Sequence, residues 1–182
     1  MRGAIMKNTV IVFLVIFLWS CGNAGRNSSA DNSGKITQRE DGTIALNIES
    51  AAFYQNNNDP SLNTAEWNFV VSKPGRYGVW LSSATRDTMN LGYLNKVRID
   101  LNNDERLEAK PVGDKIIADA AGIQKPYYRA DSFMGSFYIQ APGEYSIQVI
   151  SEKIINSVRT GLHHSEMPGT MLLSVFLTPM TR

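Results

Sequence analysis

The chain has 182 residues, with 18 Lys and Arg against 17 Asp and Glu, a formal net charge of +1, and 43% hydrophobic residues. This length suits one domain with a proper core, and the near-zero charge lacks the cationic excess that a phosphate backbone demands, so nucleic acid is not an expected partner. Cys21 is the only cysteine, which excludes an intrachain disulfide, a thiolate metal cage and a cysteine nucleophile in the folded domain.

In chain order, Arg2 and Lys7 precede the apolar run Val10 to Trp19, too short to span a bilayer as a helix but of the length of a signal-peptide core. The run ends Leu18-Trp19-Ser20-Cys21. An aliphatic residue three before a cysteine and a small residue directly before it resemble the lipobox of bacterial lipoproteins, in which residues 1–20 would be removed and Cys21 diacylated. Trp19 stands where a small or branched residue is usual, which resembles the looser lipoboxes of the Bacteroidetes. The alternatives are an uncleaved anchor, or an ordinary signal peptide with a chance cysteine. Acyl chains adding about 0.8 kcal/mol per buried methylene would hold the protein on a membrane without a transmembrane helix. Gly22 takes the place of the Asp that retains enteric lipoproteins at the inner membrane, so the resemblance implies the outer membrane. Residues 21–40 read as a lipidated flexible linker, almost all small and polar, which cannot bury enough apolar surface to offset its chain entropy.

From residue 41 to 182 the apolar residues alternate with period two and never hold a 3.6 spacing for three turns, which predicts strands and no helix. Thr43 to Glu49 puts Ile44, Leu46 and Ile48 on one face. Glu66 to Val71 presents Trp67, Phe69 and Val71, Arg76 to Ser82 presents Tyr77, Val79 and Leu81, and Lys96 to Leu101 presents Val97, Ile99 and Leu101. Phe133 to Gln140, Tyr145 to Ser151 and Thr170 to Thr178 make seven strands, with an eighth near Arg106 to Lys110 or Lys115 to Ala118. The expected fold is all-β, an antiparallel β-sandwich.

Pro74-Gly75 and Pro142-Gly143 each separate two of these strands and read as type II turns closing hairpins. Around them Phe69-Val-Val-Ser-Lys-Pro-Gly-Arg-Tyr-Gly-Val matches Phe137-Tyr-Ile-Gln-Ala-Pro-Gly-Glu-Tyr-Ser-Ile, with Phe, Pro, Gly and Tyr at identical spacing. Each tyrosine is expected to close a sandwich end as a buried ring with its hydroxyl at the rim.

The strand order, with Leu46-Asn-Ile-Glu49-Ser-Ala51, Trp67-Asn-Phe69, Lys73-Pro-Gly-Arg-Tyr77-Gly-Val and Leu173-Ser-Val-Phe-Leu177-Thr-Pro179, resembles the galactose-binding-like jelly rolls. These include carbohydrate-binding modules appended to α-fucosidases and other glycoside hydrolases of the Bacteroidetes. The resemblance spans nearly the whole of 41–182 and supports fold more than function. In its calcium-containing members a first-strand glutamate helps hold a structural calcium, and Glu49 falls at the matching place. Ser174 stands where a further acidic ligand is expected, and one carboxylate serves poorly a cation that wants six to eight oxygens, so a solvent-facing strand carboxylate is the competing reading for Glu49. No other cofactor is implied.

Sugar sites of this kind combine aromatic planes with Asn, Asp, Arg and Glu that hydrogen-bond hydroxyls. Trp80, opposite Tyr77, Val79 and Leu81, is either a second-face packing residue or an exposed platform. The connection Thr85 to Leu94 offers Arg86, Asp87, Asn90 and Tyr93. The stretch Lys125 to Phe133 sets Tyr127, Tyr128, Arg129, Asp131 and Phe133 together as the candidate ligand loop, against the plainer reading of two tyrosines covering an edge while Arg129 pairs with Asp131. His163-His164-Ser165-Glu166 lacks a third histidine or cysteine for a catalytic zinc, and neither a Gly-x-Ser-x-Gly elbow nor a glycine-rich phosphate loop is present. The expectation is a non-enzymatic lipoprotein at the outer membrane that binds extracellular glycan. The alternatives are a structural or assembly lipoprotein docking onto another envelope protein, and a small glycan-active hydrolase.

Overall fold

The computed structural model describes residues 35–155 and 168–181; the leader, Cys21, the linker up to residue 34 and His163 to Glu166 lie outside the described residues. Among the described residues the chain forms eleven strands: β1 (Ile36–Thr37), β2 (Ile44–Asn47), β3 (Ala52–Tyr54), β4 (Thr64–Val71), β5 (Gly75–Thr85), β6 (Val97–Leu101), β7 (Glu105–Ala109), β8 (Lys115–Ile117), β9 (Tyr128–Ile139), β10 (Gly143–Ile150) and β11 (Thr170–Pro179). Two 3-10 turns, Ile48–Ser50 and Pro60–Leu62, are the helical elements described, and no described helix is long and apolar enough to cross a membrane.

The strands form two sheets. One runs β1-β4-β10-β6-β7, with β3 also paired to β4, and the other runs β2-β11-β5-β9-β8. All pairings are antiparallel except β1 with β4. The alternating apolar residues of the two sheets meet in one core. Trp67, Phe69, Ile99 and Ile147 from the first sheet are buried with Ile44, Leu46, Val79, Leu81, Phe137, Val175 and Leu177 from the second. The Trp67 indole N–H donates to the Asn47 carbonyl at 2.7 Å, so the largest core side chain carries no unpaired donor.

Both Pro-Gly turns depart from the expected hairpins. The chain crosses from β4 in one sheet to β5 in the other at Pro74-Gly75, and from β9 to β10 in the reverse sense at Pro142-Gly143. The strands they separate therefore pair elsewhere, β4 with β10 and β5 with β9 and β11. The duplicated motif is a sheet-crossing corner, with φ of 152° at Gly75 and 158° at Gly143. Its tyrosine closes the corner on itself: the Tyr77 hydroxyl donates to the Lys73 carbonyl, and the Tyr145 hydroxyl to the Ala141 carbonyl at 2.7 Å, in each case four residues back. The Tyr77 ring is buried as expected, whereas Tyr145 is half-buried.

Three boundaries also move. Ile36–Thr37, read as linker, pairs with Phe69 and Val70, and Gln38 ties this segment to the first corner. Its amide oxygen accepts from the Ser72 and Lys73 N–H groups at 3.0 and 2.8 Å, and its amide nitrogen donates to the Gly42 carbonyl at 2.7 Å and the Tyr77 hydroxyl at 2.6 Å. The first long strand stops at Asn47, so Ile48 and Glu49 belong to a 3-10 turn. Both candidate eighth strands form, as β7 and β8, and β9 begins at Tyr128 rather than Phe133.

Candidate functional site

Because Val79 and Leu81 of β5 face the core, Trp80, Ser82 and Ala84 face outward. Register sets Phe133, Asp131 and Arg129 of β9 beside these three on one side, and Phe176, Ser174 and Met171 of β11 on the other. Ser82 and Asp131 are nevertheless only 1% and 4% exposed. The connection between β8 and β9 folds over this half of the sheet: Ala121, Gly122 and Ile123 line a cavity of about 290 Å³ with Asn47, Ile48, Glu49, Ser82, Arg129, Leu173 and Ser174. A second cavity of about 180 Å³ continues past Gly122, Ile123 and Leu173 to Ala84, Met171, Gln124 and Tyr127. Leu173 reaches the groove as the extra residue of a bulge, since Leu172 pairs with Ser83 and Ser174 with Ser82.

Arg129 is held within the groove wall. Its Nε and one terminal nitrogen donate to the two oxygens of Asp131 at 2.8 and 3.0 Å, a bidentate pair that leaves the remaining guanidinium N–H groups for another acceptor. Ser82, Ser174, Asn47 and Glu49 line the same cavity, together with the apolar Leu173 and Ile123. Further along the same face Trp80 is flanked from both sides of β5. Phe176 stacks nearly parallel at 6.2 Å, Phe133 leans at 60° and 5.2 Å, and the Lys115 ammonium lies 4.1 Å from the Trp80 ring centroid. The Arg129 guanidinium lies over Phe176 at 5.4 Å and so joins the aromatic cluster to the groove.

The structure thus gathers Glu49, Trp80, Tyr127, Arg129 and Asp131 on one face, sets Arg86 over the Tyr127 ring, and places Asn90, Tyr93 and Tyr128 elsewhere. Trp80 takes the packing role, its ring engaged by Phe176 and Lys115 rather than free as a platform. Lys125 to Phe133 is not one loop: Tyr128 onward is strand, and Tyr128, two residues from the buried Ala130, points to the opposite side from Arg129. Tyr127 is 3% exposed, donates its hydroxyl to the Pro168 carbonyl at 2.9 Å, and carries the Arg86 guanidinium over its ring at 4.8 Å. Asn90 accepts from the Gly92 N–H at 2.9 Å, which shapes its own turn. Tyr93 is a core residue, 2% exposed, with its hydroxyl 2.8 Å from the Ser83 hydroxyl; burial pushes its phenol well above the usual tyrosine range. Glu49 lines the groove from a turn instead of a strand, and among the described residues no group of three His, Cys, Asp or Glu side chains is placed to hold a metal ion.

Sequence reasoning missed Asn47, Ser82, Lys115 and Phe176, and it noted Ser174 only for the acidic ligand that it lacks. Period-two alternation marks each strand residue among them as outward-facing, but pairing partners were needed to see that they converge.

No protein-family model matches the chain, and no curated protein is similar to it. Among solved structures it is similar to an α-L-fucosidase from Vibrio sp. strain EJY3, with a TM-score of 0.58 and 19% identity over 80% of this chain and 24% of that one. A β-(1,4)-mannanase from Podospora anserina gives a TM-score of 0.46 and 15% identity over 78% of this chain and 28% of that one. The chain therefore spans about a quarter of the length of the enzymes it matches. The fucosidase likeness, together with the sheet order, identifies the fold as an all-β antiparallel sandwich of the jelly-roll kind.

Proposed function

We propose that the chain is a non-catalytic, lipid-anchored outer-membrane protein that captures an extracellular glycan in the groove between β5, β11 and the connection preceding β9. The groove itself carries the reading: Arg129, immobilised by Asp131, lines it with the polar residues Ser82, Ser174, Asn47 and Glu49 and the apolar Leu173 and Ile123. A sugar ring offers the matching mixture, hydroxyls around its edge and an apolar C–H face, and a preformed concavity lowers the entropy lost on binding. The likeness to part of an α-L-fucosidase supports a glycan as the ligand.

The distribution of carboxylates supports the non-catalytic part. Glycoside hydrolysis ordinarily uses two carboxyl groups flanking the bond. Among the described residues the groove presents Glu49 alone, while Asp131 is engaged by Arg129. The anchor rests on Leu18-Trp19-Ser20-Cys21. A linker reaching residue 35 would join the sandwich beside Phe69 and Val70, next to the first corner, whereas the groove lies towards the other end of β5 at Ser82 and Ala84. The binding face would then be presented away from the point of attachment.

A glycan array followed by calorimetry on the full chain in detergent tests the proposal. Binding at micromolar to millimolar affinity that falls at least tenfold in Arg129→Ala is expected. Silence across plant, mucin and microbial glycans would move the function to docking on an envelope protein, and release of reducing sugar from any polysaccharide would overturn the non-catalytic reading. Palmitate labelling lost in Cys21→Ser is the expected result for the anchor.

A further inference from the structure

We infer that the outer face holds a second sugar-contacting position, centred on Phe133, so that the protein grips a run of at least two linked sugar residues rather than a single terminal one. This rests on the glycan reading of the Arg129 groove. Phe133 is 43% exposed, yet its ring is held in place. It leans on Trp80 and lies against the backbone at Gly78, where a Cβ would come within 3.3 Å of its Cε2 atom, while the Phe133 N–H donates to Asp114 at 2.7 Å.

A bulge in β9 produces this presentation. Val79 pairs with Gly135 and Trp80 with Phe133, so Met134 is the extra residue and turns into the core, leaving Phe133 outward. A large apolar ring kept at the surface by a bulge and supported from beneath is preorganised for contact, and it loses little side-chain entropy when a ligand covers it.

Its distance from the groove suits a chain ligand. Phe133 is two residues beyond Asp131 on β9, as Trp80 is two residues before Ser82 on β5, which is about 7 Å along a strand. One ring lying on Phe133 would have its neighbour at the Ser82–Arg129 end of the groove. Lys115, beside Trp80, and Arg129, over Phe176, flank the aromatic row with N–H donors. Apolar ring faces interleaved with donors match a sugar chain, whose C–H faces and hydroxyls alternate in the same way; a protein partner would call for a wider apolar centre.

The test is calorimetry of the full chain in detergent against single sugars and chains of two, three and four units from β-mannan, xylan, chitin and fucosylated mucin glycans. Affinity is expected to rise about tenfold between one unit and two or three. Phe133→Ala should bring the chain-to-single-sugar affinity ratio near one, and Phe133→Trp should keep it high; tryptophan retention shows that the loss reflects the ring and not misfolding. Equal affinity for one unit and several, or an undiminished ratio in Phe133→Ala, overturns the inference while leaving the glycan reading intact. Absence of binding to every probe overturns both.

Discussion

Replacing Gln38 by alanine removes a side chain that joins the entering segment to the first sheet-crossing corner. Its amide oxygen accepts from three donors around Ser72 and Lys73, all exposed, so water substitutes for them at little net cost. Its amide nitrogen donates to the Gly42 carbonyl and the Tyr77 hydroxyl in a part-buried setting, where each bond contributes about 1 kcal/mol net. The expected destabilisation is about 2 kcal/mol. With an m-value of about 2 kcal/mol/M this lowers the urea midpoint by about 1 M. Tyr77→Phe removes a shared partner, so the double variant should be less destabilised than the sum of the singles by about 1 kcal/mol. An unchanged midpoint, or strict additivity with Tyr77→Phe, would show that residues 35–40 are linker after all and that the corner holds itself.

Three further outcomes follow from the same geometry. Tyr77→Phe should destabilise by about 1–3 kcal/mol, because it takes the acceptor from one Gln38 amide N–H and the hydroxyl donor from the Lys73 carbonyl, whereas Tyr145→Phe at the exposed corner should stay under about 1 kcal/mol; paired urea titrations compare them. Gly135→Ala should cost about 2–4 kcal/mol, since the residue sits at φ 129° and its new Cβ would meet Leu107 Cδ2 at 2.9 Å; Leu107→Ala in the same chain should recover only the packing share. Burial raises the Tyr93 phenol, the Ser83 hydrogen bond opposes the rise, and the Glu152 charge adds to it. The folded state therefore holds this proton more tightly than the unfolded state, and its contribution to stability is complete below the ordinary tyrosine value near 10 and declines as pH climbs past it. Urea midpoints measured at about pH 8 and about pH 11 should fall more in the native sequence than in Tyr93→Phe; equal falls would remove the claim.

Alternation in the amino-acid sequence was enough to determine that this is an all-β chain and which side chains make its interior. Val79, Leu81, Phe69, Ile99 and Val175 recur at period two, and burying such a row requires a second sheet against it. The same sequence could not assign strands to sheets, because Pro-Gly followed by an aromatic suits a hairpin and a sheet-crossing corner equally well at short range. The choice was made by long-range pairing, β4 with β10 and β5 with β9 and β11. Gln38 looked like linker because, Gly42 apart, its side-chain partners lie 34 to 39 residues away. Ser82 and Asn47 were unremarkable outward positions, Arg129 read as part of a loop and Ser174 only as a missing acidic ligand, and the four became a groove only when register aligned them and the connection before β9 folded across them. Local chemistry is written in neighbouring residues; a concavity belongs to the tertiary fold, since its walls come from segments more than a hundred residues apart.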